Sequence, residues 1–364
     1  MTQPLYFDCR YIRVDHHDGI SRYSAELFAA VAKRTSVIAI ICDARQLSLL
    51  PAGTKHVYLN DPTSAREPLA ALALNRLGAR LVYSPMQTIG SLGRRFKLVL
   101  TIHDLIYYSH PAPPPNLPPL VRLGWRLFHL TYWPERWLLA GCDAVVAVSS
   151  TTSDEIARHR LTSKPVAVVY NAAGGRVTGK GGSDGPTVLD NSASRSLVYM
   201  GSFMAYKNVE TLVRALALLP EHTLHLLSKI APARRARLEK LAGAAAARIV
   251  FHNGVTDAEY GNLLEKAQAL VSASKAEGFG IPLVESMAKG IPVAASNIAI
   301  FHEVGGEAAK YFDADSPEAL ADAINQLSDS ATWRAASEAG LAQTQKFSWD
   351  ASASALLKLV EGLA

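Results

Sequence analysis

The chain is poor in cysteine, with three in 364 residues: Cys9, Cys42 and Cys142. They lie far apart, in or beside apolar stretches, and no Cys-x2-Cys pair suggests a zinc or redox centre. Buried or half-buried free thiols in a reducing compartment are expected. No uninterrupted apolar run reaches the roughly 20 residues that a membrane-spanning helix needs. The first residues lack the charged start, apolar run and cleavage site of a signal peptide. A cytoplasmic location is therefore expected, with contact at the inner face of the plasma membrane left open. Dense basic runs interleaved with aromatics are also missing, which argues against nucleic acid as a partner. What remains is a mild formal net charge of +5, which suits phosphate-bearing substrates or an anionic membrane surface.

At 364 residues the chain is too long for one typical domain and suits two, and 49% hydrophobic residues give both halves a sizeable core. Short β-branched runs alternate with helical patterns. Residues 36–42 (SVIAIIC), 98–102, 144–148 and 166–170 read as buried parallel strands in the first half. Residues 196–200 (SLVYM), 223–227, 248–251, 269–272 and 292–295 do so in the second. Helical periodicity fills intervals such as 208–219 and 258–267. This order predicts two doubly wound α/β units. Residues 172–195, rich in Gly, Ser and Asp, read as an exposed linker region. Domains are thus expected at 1–175 and 196–347, joined by a linker at 176–195, with a last helix at 350–362.

The most informative stretch is Glu277-Gly278-Phe279-Gly280-Ile281-Pro282-Leu283-Val284-Glu285. Gly278 and Gly280 allow close backbone approach to a ligand. Pro282 suits the first turn of a helix, and Leu283, Val284, Met287 and Ala288 recur at helical spacing. A loop opening into a helix is predicted, with Glu277 in the loop and Glu285 about one turn in. The free N–H groups of such a helix start suit a phosphate.

This stretch closely resembles the Glu-x7-Glu signature of the retaining glycosyltransferases of family 4, which have two Rossmann-like domains, the GT-B fold. Gly201-Ser202-Phe203-Met204-Ala205-Tyr206-Lys207-Asn208 looks like the family loop whose lysine neutralises the donor diphosphate. Ser202 stands where many members carry arginine. In Leu226-Leu227-Ser228-Lys229, Ser228 replaces a family glycine, and neither Ser228 nor Lys229 joins the expected core site. Thr101-Ile102-His103-Asp104 matches the family His-Asp, and Asp18-Gly19-Ile20-Ser21-Arg22-Tyr23 its first loop. There Gly19 can accept unusual dihedrals, and Ser21 can donate a hydrogen bond or cap the helix. Val146-Ala147-Val148-Ser149-Ser150 and the base-binding loop Asn253-Gly254-Val255-Thr256-Asp257 extend the likeness over nearly the whole chain.

The resemblance implies an α/β GT-B fold of two Rossmann-like domains facing a cleft. Its C-terminal helix, residues 348–364, crosses back to the first, acceptor-side domain. It implies catalytic roles for His103, Glu277 and Lys207. Donor contacts are implied for Gly19, Ser21, Gly201, Ser202, Lys207, Val255, Gly278, Phe279, Gly280, Ile281 and Glu285. Glu277 would hold the donor sugar, Glu285 the ribose and His103 the sugar orientation, with Asp104 fixing the position of that sugar. The donor is a nucleotide-sugar, with GDP-mannose preferred over UDP-sugars, and no metal or other cofactor is implied. The acceptor is a saccharide or lipid-linked saccharide of cell-envelope or polysaccharide synthesis. A catalytically degenerate sugar-nucleotide binder is the non-enzyme alternative, and the serine at 202 is the feature that supports it.

Other features have structural readings. His16-His17-Asp18 lacks further ligands at metal spacing. Asp313-Ala314-Asp315 precedes Ser316-Pro317-Glu318 and reads as a turn and helix cap. After the proline-rich residues 111–119, Trp125, Phe128, Tyr132, Trp133 and Trp137 mingle with Arg122, Arg126 and Arg136. This segment is expected to pack on the domain core with arginines at its rim. The alternative is an interfacial surface beneath a lipid-linked acceptor. Pro134 argues against one long helix.

Overall fold

The computed structural model describes residues 3–14, 18–113, 117–174 and 190–363. The chain forms two compact units, Met1–Asn171 with Ser348–Ala364, and Ala172–Phe347. Residues 176–189 of the expected linker, and His16-His17, lie outside the described residues.

In the first unit the described strands are β1 (Leu5–Asp8), β2 (Val37–Ile41), β3 (His56–Tyr58), β4 (Leu81–Ser84), β5 (Lys97–Ile102), β6 (Ala144–Ala147) and β7 (Val166–Val168). They pair in parallel in the order β3-β2-β1-β4-β5-β6-β7. The apolar runs are continuous because both faces are covered, so β1, β4 and β6 are buried throughout. The chain winds outward from β1 through β2 and β3, then returns to β4 on the other side. That reversal makes β1/β4 the switch point, where loops at the strand carboxyl ends diverge and leave a crevice. Gly19–Ala32, the helix after β1, is capped by Asp18, whose side chain accepts the Ser21 N–H at 2.9 Å.

The last helix, Trp349–Glu361, belongs to this unit. Ser348 caps it, and Ser352 Oγ donates to the Tyr170 carbonyl at 2.7 Å. Trp349 packs edge-on to Tyr23, and Asp350 pairs with Arg34 at 3.2 Å.

The second unit holds β8 (Ser196–Tyr199), β9 (Thr223–Leu226), β10 (Ile249–Phe251), β11 (Ala269–Ser272), β12 (Val293–Ser296) and β13 (Lys310–Phe312). Their order is β10-β9-β8-β11-β12-β13, all parallel, so β8/β11 is the switch point here. Trp333 is fully buried and donates its Nε1–H to the Gln268 carbonyl at 2.8 Å, fixing the helix Ser330–Thr344 on this sheet.

The aromatic segment corrects one expectation. It forms two helices, Pro119–Phe128 and Trp133–Ala140, with Pro134 in the first turn of the second. No residue of Pro119–Phe128 is buried, so this helix does not pack on the core as expected. Glu135 and Leu139 anchor the second helix instead.

Candidate functional site

In the second unit the loops after β8 and β11, at the switch point, carry most of the expected residues, while Val255 follows β10. The loop after β8 carries Gly201 to Lys207, and the loop after β11 carries Ser274 to Gly280. The Lys275 N–H donates to the Tyr206 carbonyl at 2.7 Å and ties the two loops together. Lys207 Nζ then reaches Glu277 Oε1 at 2.6 Å, with both side chains largely buried. Ser274 Oγ donates to the same oxygen at 2.8 Å. Glu277 Oε1 is thus saturated, while Oε2 has no protein partner among the described residues. A carboxylate has about four lone-pair sites, so Oε2 is the acceptor left for a ligand hydroxyl. An ammonium has three donors, and Glu277 uses one of them. The pair is therefore rigid but not exhausted.

The glycines explain themselves here. Gly280 takes φ +96° and a Cβ there would sit 2.9 Å from the Phe301 ring. A Cβ on Gly201 would meet the Tyr199 hydroxyl at 2.7 Å, and that hydroxyl donates to the Ser202 carbonyl, also at 2.7 Å. Burial first, then the nearby Glu277 charge, pushes the Tyr199 phenol up, so it stays a neutral donor. Gly278 lies in the loop, and Ile281 opens the helix Ile281–Ala288 with Pro282 in its first turn. Phe279 is buried edge-on against Phe347, and Glu285 is buried one turn into the helix. Val255 is half-buried beside Gly254 at φ +107°, and Thr256 caps the next helix in a reciprocal box with Glu259. The Lys229 side chain lies 3.3 Å from where a Gly254 Cβ would be.

Ser274 and Tyr199 were not foreseen, nor was the contact that Asn208, the last residue of the loop motif, makes. Asn208 is left-handed (φ 50°) and its side chain donates to the Ala314 carbonyl at 2.6 Å. Asp315 pairs with Lys275 at 2.6 Å, Asp313 accepts the Asp315 N–H at 2.9 Å, and Ser316 caps the following helix. Asp313-Ala314-Asp315 is thus a turn that braces the Lys207 loop.

In the first unit His103 follows β5 and its Nε2 lies 2.7 Å from the Pro85 carbonyl, after β4. A carbonyl only accepts, so Nε2 carries the proton and Nδ1 keeps the lone pair. Burial lowers the His103 pKa, outweighing the Pro85 bond and Asp18, so the ring is neutral at pH 7. Tyr23 stands edge-on to the ring, its hydroxyl 2.9 Å from that of Tyr83, which lies 2.9 Å from Thr101 Oγ1. Asp104 Oδ1 accepts the Ile106 N–H at 3.0 Å. Gly19 begins its helix without a positive φ, so the freedom its missing Cβ allows is not used. Ser21 is buried, its Oγ accepting the Arg13 N–H at 2.9 Å, and the cap is Asp18 instead. The loop before it is held by a residue the motifs did not reveal: buried Arg10 forms paired bonds of 2.7–2.9 Å to Asp8 and Glu67. Only its placement two residues beyond Asp8 at a strand end hints at this in the sequence.

Comparison with known proteins gives this arrangement a context. The family model described as Glycosyl transferases group 1 matches residues 188–343, and that for Glycosyltransferase Family 4 matches residues 17–173. The chain belongs to the family 4, group 1 glycosyltransferases. It is 31% identical to O-antigen chain mannosyltransferase B of Escherichia coli over 42% of each chain. It is 24% identical to O-antigen chain mannosyltransferase RfbU of Salmonella typhimurium, over 85% of this chain and 87% of RfbU. The chain spans about two fifths of the length of several of the curated relatives it matches. Among solved structures, Anabaena HepE with UDP and glucose superposes with a TM-score of 0.73 at 16% identity, over 98% of this chain and 99% of HepE. That likeness speaks for fold, and the two parallel-sheet Rossmann-like units are those of the GT-B class.

Proposed function

We propose that this family 4 member is a retaining, metal-independent mannosyltransferase. It moves mannose from GDP-mannose to a saccharide acceptor, free or lipid-linked, in polysaccharide assembly. The observation that carries the reading is the Lys207–Glu277 pair at the β8/β11 switch point, with Glu277 Oε2 open. The mannosyltransferase names of the relatives support the sugar.

In this reading Lys207 and the N–H groups at Phe279–Gly280 hold the donor diphosphate. The leaving nucleotide gains negative charge as the glycosidic bond breaks, and fixed donors stabilise that charge more in the transition state than in the ground state. Glu277 Oε2 accepts hydroxyls of the donor sugar, Glu285 holds the ribose, and the main chain at Val255 meets the base. The Gly201-Ser202 turn shapes the wall beside the phosphates. Neutral His103 offers Nδ1 as an acceptor that orients a sugar hydroxyl. With serine at 202, Lys229 in the loop after β9 supplements Lys207.

The test is incubation with GDP-mannose, or with UDP-glucose, and a panel of saccharide acceptors in the presence of EDTA. Nucleotide release and the anomeric configuration of the product are followed by NMR. The reading expects GDP release and an α-mannoside. Turnover of UDP-glucose alone moves the donor to the UDP-sugars. Inversion, or loss of turnover in EDTA, overturns the retaining or the metal-independent part.

A further inference from the structure

The helices Pro119–Phe128 and Trp133–Ala140 leave a broad apolar surface uncovered in the first unit. Leu120, Leu123, Leu127 and Leu130 recur at helical spacing and are exposed, Leu120 at 83%. Trp133 and Trp137, one turn apart on the next helix, are 72% and 74% exposed. Isolated exposed leucines are ordinary, but two exposed indoles beside a leucine stripe are not.

The underside of this surface is fixed. Trp125 stands edge-on to Tyr107 at 4.8 Å, Tyr132 stacks on Tyr108 and on His159 at 4.1 Å each, and Arg136 donates to the His159 carbonyl at 2.8 Å. The apolar stripe is therefore presented by a braced pair of helices rather than by a loose loop. A second segment reaches the end of the second helix. The Arg94 side chain donates to the Gly141 carbonyl at 2.9 Å, bringing the loop with exposed Leu92 and Arg95 to the end of the Trp133–Ala140 helix.

The charge is mainly basic, and Asp143 at the far end is paired with Arg94 and Lys97. On an ideal helix Arg126 borders the leucine stripe and Arg122 lies further round on the same side, half-buried, while Arg126 and Arg95 are exposed. From residue 117 to 140 the one acid is Glu135, which is buried. Glu155, near Tyr132, is half-buried and has Arg158 beside it.

We propose that this face docks on an anionic lipid surface. Leucines and the two indoles enter the headgroup boundary, and Arg122, Arg126 and Arg95 meet the lipid phosphates. Amphipathic helices with cationic flanks and tryptophan at the boundary bind interfaces in this way, without spanning them. None of the described helices is long and apolar enough to cross a membrane. The inference rests on the first unit's surface alone and stands whatever the donor is.

The experiment is co-sedimentation of the full chain with vesicles of phosphatidylcholine, or of phosphatidylcholine with phosphatidylglycerol, at low and high salt. Tryptophan emission is recorded in parallel. The wild type is expected to bind the anionic vesicles, more weakly in high salt, with a blue shift. The pair Arg122→Gln and Arg126→Gln is expected to weaken binding about fivefold per charge. The triple variant Leu127→Ser, Trp133→Ser, Trp137→Ser is expected to lose it. All three side chains are exposed, so unchanged circular dichroism is expected to show the fold intact. Two results overturn the proposal. One is wild type left in the supernatant with both vesicles. The other is a dimer in light scattering that the triple variant dissociates, with no vesicle binding, which assigns the face to a second copy of the chain.

Discussion

Glu135, on the buried side of the Trp133–Ala140 helix, is 1% exposed, and its Oε1 has no partner among the described residues. Its Oε2 has two long contacts, Gln87 Nε2 at 3.4 Å and the Tyr108 hydroxyl at 3.5 Å. Burial pushes its pKa from 4.5 to about 7, because so poorly bonded a carboxylate is disfavoured when charged. The folded chain therefore holds this proton more tightly than the unfolded chain. Its stabilising contribution is complete below about 4.5 and is lost as pH rises through about 7. At about 1.4 kcal/mol per pH unit, the gap from 4.5 to 7 corresponds to about 3 kcal/mol. Glu135→Gln keeps the shape and removes the titration. Thermal unfolding of both proteins at pH 5 and pH 8 separates this group from all others, since shared groups cancel. At about 2–4 °C per kcal/mol for a unit of this size, the variant gains roughly 5–10 °C on the wild type between the two pH values. If the difference between variant and wild type is the same at both pH values, the carboxylate is hydrated and the reasoning fails.

Other outcomes follow from the same contacts. Gly280→Ala puts a Cβ at φ +96° against the Phe301 ring, and chemical denaturation is expected to show the Ala172–Phe347 unit destabilised by about 1–3 kcal/mol. Lys229→Ala is expected to weaken nucleotide affinity severalfold in calorimetry at low salt and less at high salt, because its exposed charge is screened. Since the pKa of His103 is lowered, turnover is expected to show no His103 inflection above the ordinary value of 6.5. His103→Ala is expected to lower kcat more than nucleotide affinity.

Much of the fold is legible because buried parallel strands leave continuous apolar runs. The runs at 98–102, 144–148 and 269–272 coincide with β5, β6 and β11 to within a residue. Strands β1, β3, β4 and β13 were not picked out. β3 is an edge strand with His56 and Tyr58 exposed, so no apolar run marks it. The Gly280 loop was readable because a left-handed turn against a ring needs glycine, and that need is written in the residue itself. Ser274, Tyr199 and Arg10 were not, since ordinary serines, tyrosines and arginines acquire their roles from neighbours distant in sequence. The Pro119–Phe128 helix shows the same limit from the other side. Amphipathic spacing announces an apolar face but says nothing of what covers it.

The measurement that tests the central claim most directly is calorimetric titration of GDP-mannose and UDP-glucose into the wild type, Lys207→Ala and Glu277→Gln. The account predicts selective GDP-mannose binding. Lys207→Ala removes a charge-assisted contact to the diphosphate and leaves Glu277 unpaired, so affinity falls at least tenfold. Glu277→Gln retains GDP binding and loses the extra affinity that the mannose supplies. Equal binding of GDP and GDP-mannose by wild type and Glu277→Gln, or full affinity in Lys207→Ala, contradicts the account.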